Sequence, residues 1–128
     1  PKRTAGFTLI ELLIVVVIIG LLAAIAIPKM SYTKEKAWIS TMKSDLRNLA
    51  TAQESYWNDN AAYYGGAIPS AQFVYSPSPT VTVTITEASA AGWAAQTSHV
   101  STTVQCALFF GTASPPSPAT IEGRIACQ

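Results

Sequence analysis

A single carboxylate, that of Glu11, interrupts an apolar stretch near the N-terminus of this 128-residue chain. Between Phe7 and Ile27 only Thr8 and Glu11 are polar. A lone carboxylate is costly to bury in hydrocarbon, so an acid in such a stretch is a candidate for a functional role. A carboxylate in the first turn of a helix is also favoured by the backbone dipole, which leaves a purely local role for Glu11 open.

The apolar stretch has the length of a membrane-spanning helix. It contains 21 residues from Phe7 to Ile27, and a helix of about 20 residues crosses a hydrocarbon core of roughly 30 Å. The basic residues Lys2 and Arg3 precede it. An alternative is an ordinary secretory signal peptide, because Ala24-Ile25-Ala26 has the small residues of such a cleavage site. The acid inside the apolar region argues against that alternative.

The segment Gly6-Phe7-Thr8-Leu9-Ile10-Glu11, followed by an apolar helix with Gly20 and Pro28, resembles the N-terminus of type IV pilins and of the related pseudopilins. The close part of the resemblance extends to about Trp57. It implies that a membrane-bound prepilin peptidase cuts between Gly6 and Phe7 and N-methylates Phe7. It also implies that Phe7 and Glu11 direct subunit assembly, with the freed amine of an incoming Phe7 neutralising Glu11 of its neighbour.

Gly20 and Pro28 flank a section in which the helix is weak. Pro28 cannot donate a hydrogen bond to the Ala24 carbonyl, and a glycine inside a helix costs about 1 kcal/mol relative to alanine. The corresponding section unwinds in related filaments, so the resemblance implies a flexible section from Gly20 to Pro28. A simple kink in an intact helix is the alternative.

The spacing of apolar residues after Pro28 predicts that the same helix continues. From Lys29 to Asn60 there is no glycine or proline, and apolar residues recur at intervals of three and four, which defines one helical face. We predict one helix from about Thr8 to about Trp57, bent near Pro28, that packs this face on a sheet. The face consists of Trp38, Met42, Leu46, Leu49 and Tyr56, with Gln53 at one place in the series.

The remainder of the chain contains a helix stop and short runs of β-formers. Asparagine and glycine in the segment from Asn58 to Gly66 tolerate the backbone angles that end a helix, and Tyr63 and Tyr64 are expected to pack within this loop. Alternation of threonine with valine or isoleucine predicts a half-buried strand. The predicted strands are Thr80–Thr86, Gly92–Val100, Thr102–Phe110 and a last edge strand in Thr120–Cys127, with Ala71–Ser76 as a weaker candidate.

These elements predict an α+β fold, in which a long N-terminal helix packs on a small antiparallel sheet of about four strands, as in the type IV pilin fold. The predicted organisation is a leader at 1–6, a transmembrane or filament-core half of the helix at 7–28, an amphipathic half at 29–60 and a globular head at 61–128.

Cys106 and Cys127 are the two cysteines of the chain, and both lie in the predicted head. An even count in a chain with an export signal suggests a disulfide formed outside the cytoplasm. The resemblance implies a bond between these two, which encloses the proline-rich loop from Gly111 to Pro118. Two free buried thiols are the alternative.

Motifs for catalysis and cofactor binding are missing from the sequence. It has no glycine-rich phosphate loop, no CxxC pair and no EF-hand pattern. His99 has no acidic or cysteine partners at metal-ligand spacing, and we interpret it as a surface residue of a strand. After Arg47 the only basic residue is Arg124, so we predict no nucleic-acid binding by the head. We also predict no enzyme activity, no cofactor and no metal.

The resemblance implies a structural subunit of a homopolymeric type IV pilus. Its partners would be other copies of itself, the prepilin peptidase, an inner-membrane assembly platform and motor ATPases. It would be a single-pass precursor in the inner membrane and later part of an extracellular filament for motility, adhesion or DNA uptake. One alternative is a pseudopilin of type II secretion, which would form a short periplasmic piston. The other is a monomeric binding module anchored in the membrane.

Overall fold

The computed structural model describes residues 1–2 and 6–128, and the chain divides into two compact units, 1–34 and 35–128. Arg3, Thr4 and Ala5 of the predicted leader therefore lie outside the described residues. The architecture is one long helix and one four-stranded antiparallel sheet with the strand order β1-β2-β3-β4. The elements are α1 (Leu9–Asn60), β1 (Val81–Ala88), β2 (Gly92–His99), β3 (Gln105–Gly111) and β4 (Ala126–Cys127). The predicted α+β fold of type IV pilin type is confirmed.

Helix α1 begins at Leu9 and ends at Asn60, close to the predicted limits. It is helical through Gly20 and through Pro28, which lies inside it. By length and composition this helix is apolar enough to cross a membrane. The bend expected near Pro28 and the unwinding expected in a filament stay predictions.

The predicted helical stripe forms one side of the hydrophobic core. Met42, Leu46 and Leu49 are fully buried, and they pack in one cluster with Trp93 of β2 and Leu108 of β3. Trp38 and Tyr56 are half-buried at the two ends of the stripe. Because the apolar positions recur every three or four residues, they share one face and cover one side of the sheet.

Two buried polar residues of α1 hold the segment that connects the helix to the sheet. The Gln53 amide donates to the Tyr64 carbonyl at 2.8 Å and accepts the Tyr64 N–H at 2.8 Å. The Asp45 carboxylate accepts the N–H and the hydroxyl of Ser78 at 3.2 and 3.1 Å. The Tyr75 hydroxyl donates to the Asp45 carbonyl at 2.9 Å, and burial together with the nearby Asp45 charge raises the pKa of Tyr75. Buried polar groups need such partners, so these contacts fix the loop.

The alternation of Val81, Val83 and Ile85 with exposed threonines is confirmed in β1, although a register shift follows Ile85. One strand prediction is wrong. Ala71–Ser76 forms no strand, because its backbone follows the side-chain contacts to α1 and makes only a bridge between Ser70 and Phe73.

The predicted last edge strand within Thr120–Cys127 is confirmed as β4, although only Ala126 and Cys127 pair with β3. Ile121 to Arg124 forms a turn instead. In this turn Gly123 has a φ of 71° and the Arg124 N–H donates to the Ile121 carbonyl at 3.2 Å. Glycine adopts that angle without steric cost.

The prediction that His99 is a surface residue is wrong. Its side chain is buried at the end of β2 and stacks on Trp38, with ring centroids 5.3 Å apart. The ring atom Nδ1 accepts the backbone N–H of Ser101 at 3.1 Å. The single histidine is thus a packing residue, because the long α1 brings an aromatic partner that strand patterning does not reveal.

The disulfide between Cys106 and Cys127 is confirmed, and it joins β3 to β4. The adjacent pair Gln105 and Gln128 exchanges two backbone hydrogen bonds, at 2.9 and 3.0 Å. The enclosed loop is held further by Glu122, which accepts the Gly111 N–H at 2.6 Å. A strand of two residues has little pairing of its own, so the covalent bond secures this edge.

The residue that caps the C-terminus of helix α1 is not one of the types expected there. The helix-terminating backbone angle belongs to Ala61, with a φ of 55°, and not to an asparagine or glycine of the segment. The Ala61 N–H donates to the Trp57 carbonyl at 2.7 Å, as in a left-handed helix cap. A side chain in this conformation is sterically disfavoured by roughly 1–2 kcal/mol.

Replacing Ala61 by glycine should stabilise the protein. We expect Ala61→Gly to raise the free energy of unfolding by about 0.5–1 kcal/mol, because relief of the strained angle exceeds the added entropy of the unfolded chain. Thermal unfolding of the full-length chain in detergent measures this. Ala62→Gly is the matched control and should lower stability, since Ala61 is the only non-glycine residue with positive φ in the described part of the chain.

Removing the disulfide should destabilise the head. For cysteines 21 residues apart, the chain-entropy model gives a loss of about 3 kcal/mol. We expect this loss in Cys106→Ala/Cys127→Ala, measured by denaturant unfolding in detergent. Reductant should shift the unfolding midpoint of the wild type and leave the double variant unchanged. An equal response of both proteins to reductant would contradict the role of this bond.

Candidate functional site

Thr8 and Glu11 form a reciprocal cap at the start of α1. Thr8 precedes the first helical residue, and Glu11 occupies the third helical position. The Thr8 N–H and the Thr8 hydroxyl each donate to Glu11 Oε2 at 2.7 Å, and the Thr8 hydroxyl oxygen accepts the Glu11 N–H at 3.3 Å. This is the capping-box arrangement, which satisfies backbone donors that have no partner within the helix.

The cap fixes the carboxylate of Glu11 at the helix N-terminus. Both hydrogen bonds from Thr8 go to Oε2, and among residues 1–2 and 6–128 no donor is bonded to Oε1. One carboxylate oxygen is therefore open to a further partner. A first-turn role was an alternative for Glu11, but the role of Thr8 was not predicted, although the spacing Thr-x-x-Glu before an apolar run predicts this box.

Gly6 and Phe7 lie before the helix in exposed, irregular backbone. Phe7 is 89% exposed. A side chain added at Gly6 would meet no atom of the described chain within 4 Å, and Gly6 has no positive φ. The fold of the single chain therefore does not require glycine at this position.

Gly20 lies within α1 and likewise has open space around it. A mid-helix glycine that fills no steric need weakens the helix by about 1 kcal/mol relative to alanine. Pro28 follows eight positions later within the same helix. The structure thus places both predicted flexibility residues at exposed positions of regular helix.

The helix surface around Glu11 is apolar and uncovered. The large apolar residues from Phe7 to Met30 are all exposed by half or nearly so in the single chain. Monomeric soluble proteins rarely expose contiguous apolar patches of this size, and larger ones mark membrane or protein contacts. Lipid or other apolar helices are the surroundings that suit this segment.

No cluster of metal-ligating side chains occurs in the described part of the chain. The site residues fall into two places: Gly6, Phe7, Glu11, Gly20 and Pro28 in unit 1–34, and the disulfide in unit 35–128.

The chain resembles known proteins over its N-terminal part. Residues 1–27 match the profile of the family described as "Prokaryotic N-terminal methylation motif". The chain is 40% identical over 62 residues to the type II secretion system core protein G of Pseudomonas aeruginosa, which is 48% of this chain and 44% of that protein. It is 49% identical over 61 residues to the type IV major pilin protein PilA of Myxococcus xanthus, which is 48% of this chain and 28% of that protein.

A core protein G from Klebsiella pneumoniae is 42% identical over 62 residues and covers similar shares of both chains. The matches therefore span less than half the length of these curated relatives. Both kinds of relative share the aligned portion at similar identity. The chain thus carries the N-terminal methylation motif at the start of a type IV pilin-like fold and is related to both type IV pilins and type II secretion pseudopilins.

Proposed function

We propose that this chain is the structural subunit of an extracellular type IV pilus, assembled by helix packing after prepilin peptidase cleaves between Gly6 and Phe7 and methylates Phe7. The observation that carries the proposal is the uncovered apolar surface of α1, which is interrupted by one capped carboxylate. The exposed backbone at Gly6 and Phe7 supports the processing step, since a peptidase needs an accessible bond. The lack of a local requirement for Gly6 is consistent with a requirement in the peptidase.

Cleavage would place a new cation at an unfavourable position. The freed amine of Phe7 has an ordinary pKa of about 7.7–8.0, and methylation keeps it basic. A positive charge at a helix N-terminus is opposed by the backbone dipole. An anion nearby relieves this, and Glu11 of a neighbouring copy offers its Oε1 while Oε2 stays in the cap.

This pairing would set the register of the subunits more than their affinity. A buried ion pair roughly balances its cost of desolvation, whereas a pair with one partner missing is strongly destabilising. Copies that dock with Phe7 away from Glu11 are therefore rejected. Van der Waals packing of apolar helices then completes the filament core, because lipid gives no hydrophobic preference for helix association.

A pilus subunit requires specific partners and passes through two locations. Before assembly the helix 7–28 would lie in the inner membrane as a single span, and the peptidase would act there. An assembly platform and motor ATPases would supply the work of extraction. Weak helix at Gly20 to Pro28 would let the filament extend, because a glycine and a proline inside a helix both weaken it.

A pseudopilin of a type II secretion system is the second candidate, and the matches to core protein G favour it. The disulfide and the scarcity of acidic residues after Asp59 favour the pilus, since a calcium loop needs several carboxylate or carbonyl oxygens. The length of the filaments on wild-type cells separates the two functions.

The processed subunit should be recoverable from surface filaments. We expect filaments sheared from wild-type cells to contain a chain that starts at N-methylated Phe7 and carries one internal disulfide. Intact mass and terminal peptides, measured by mass spectrometry, check all three features. A chain that starts at Pro1 or Ile27 would contradict the processing step, and material confined to the envelope would favour the pseudopilin.

Replacing Glu11 should block polymerisation and leave folding intact. Glu11→Ala removes both the charge and the cap, whereas Glu11→Gln keeps the capping hydrogen bonds and removes only the charge. We expect both variants to insert, to form the disulfide and to yield at least tenfold less sheared filament. Normal filament yield from Glu11→Gln would refute the intersubunit pairing. If the yield from Glu11→Ala were low at the same time, the cap alone would be needed.

A further inference from the structure

The unit 35–128, which comprises the second half of α1 and the sheet, is called the head from here on. All four lysine and arginine residues of this unit lie along one surface. Lys36, Lys43 and Arg47 line a cavity of about 460 Å³, and Lys43, Arg47 and Arg124 line an adjoining cavity of about 400 Å³. We call these two cavities together the cationic groove. No carboxylate lines either cavity within the described chain. The other residues that line the second cavity carry no polar side chain, and they include Ala50, Phe110 and Ile125.

Three of the four positive charges of the groove, those of Lys43, Arg47 and Arg124, are not neutralised within the described part of the chain. Lys43 and Arg47 are one helical turn apart, where like charges repel by a few tenths of a kcal/mol. The turn at Ile121–Arg124 brings Arg124 to the same cavity. In the described part of the chain, the side chains of Lys43, Arg47 and Arg124 have no hydrogen bond or ion pair. The groove therefore suits a negatively charged partner.

One carboxylate of the head is similarly unengaged. Asp59 is exposed, and its side chain has no hydrogen bond or ion pair among the described residues. The other acids of 35–128 each accept a hydrogen bond within the chain; they are Glu35, Asp45, Glu54, Glu87 and Glu122. Asp59 borders a different cavity, of about 560 Å³, together with Val74, which is 97% exposed. We call Asp59 and Val74 the acidic edge.

The acidic edge cannot reach the groove of its own chain. Asp59 follows Arg47 by 12 and Lys43 by 16 residues of the same helix, which is about 18 and 24 Å along its axis. At about 100° per residue, these positions are also turned by roughly 120° and 160° around the helix. Two different, complementary surfaces make a heterologous contact, and such contacts form open helical filaments when they do not close into rings.

We propose that the acidic edge of one copy docks into the cationic groove of the next copy. Asp59 lies between Arg47, Lys43 and Arg124 of the neighbour, and Val74 contacts the apolar wall at Phe110 and Ile125. This contact rests on the proposed function, because it assumes that the chain polymerises. The contact provides a second interaction that sets the alignment of neighbouring subunits, and it lies in the head, independent of Phe7 and Glu11.

A second copy fits the groove better than an anionic polymer does. Basic residues are few, and an apolar wall lies beside them, whereas binding to a nucleic-acid backbone increases with the number of phosphate contacts. The chain itself carries one free acid beside one protruding apolar side chain, which matches that combination. Charge complementarity therefore favours the protein partner.

The direct test is a zero-length cross-link in filaments of the full-length chain. Carbodiimide treatment of sheared wild-type filaments should join the Asp59 carboxylate to the Lys43 amine, identified by mass spectrometry. Because these positions are about 24 Å apart on one helix, the link must join two copies. Filaments mixed from light and heavy isotope-labelled subunits should give mixed pairs. Asp59→Asn should abolish the link and serves as its control.

A charge exchange supplies a second readout. Arg124→Glu and Asp59→Lys should each lower the filament yield at least fivefold, and the two changes together in one chain should restore it to at least half of the wild-type yield. Lys34→Glu is the matched control, since it makes the same change in charge as Arg124→Glu but outside the groove. Combining Lys34→Glu with Asp59→Lys should not restore the filament yield that Asp59→Lys lowers.

The outcomes separate the surface from the proposed function. Wild-type filaments with the link and the rescue support the docking contact. If wild-type filaments lack the link, or if the double variant is not rescued, the docking contact is overturned and the pilus function stays intact. If wild-type cells form no filaments, the pilus function itself is overturned. Arg47→Glu/Arg124→Glu filaments at normal yield that lose binding to labelled duplex DNA would assign the groove to nucleic acid and refute the contact.

Discussion

The structure depends on one electrostatic constraint, a carboxylate that must be satisfied inside an apolar surface. Glu11 meets part of this constraint by capping its own helix through Thr8. Hydrocarbon offers no water to solvate the other oxygen, and burying an unpaired charge costs several kcal/mol. Cleavage before Phe7 would create the missing cation at the same end of the helix. The cap and the intersubunit pair are therefore compatible, because they use different oxygens of one carboxylate.

In the head, the same helix packs on the sheet and holds the loop that leads to it. Its stripe at Met42, Leu46 and Leu49 is buried against the sheet, and two polar members, Asp45 and Gln53, hold the connecting loop by hydrogen bonds. Such buried polar contacts add little net stability each, but leaving one unmade is expensive. They fix where the loop runs. The disulfide does the same for the far edge of the sheet, where β4 has only two residues.

Most of the fold followed from periodicity, since α1 and strand β1 carry clear helical and alternating patterns over many residues. Sequence reasoning failed where tertiary contacts decide the local structure. Residues from Ala71 to Ser76 have strand-forming types but follow contacts to Asp45, and His99 is buried because Trp38 covers it. At the site, the Thr8 cap has a sequence signature. No sequence signature predicts that Arg124 lies near Lys43, because 81 residues separate them along the chain.

Apolar helices that leave lipid for a filament core gain little from burial, since the two surroundings are equally apolar. Specificity must then come from charges, and the chain distributes these sparsely. One acid, Glu11, lies in the apolar stretch. In the described part of the head, Asp59 has no partner, and neither do the three cationic side chains of the second cavity. Each is tolerable in a single subunit only because it is capped or exposed to water. A low content of charged residues, 12% of the chain, makes each unmatched charge a stronger determinant of register, because few alternative pairings compete with it.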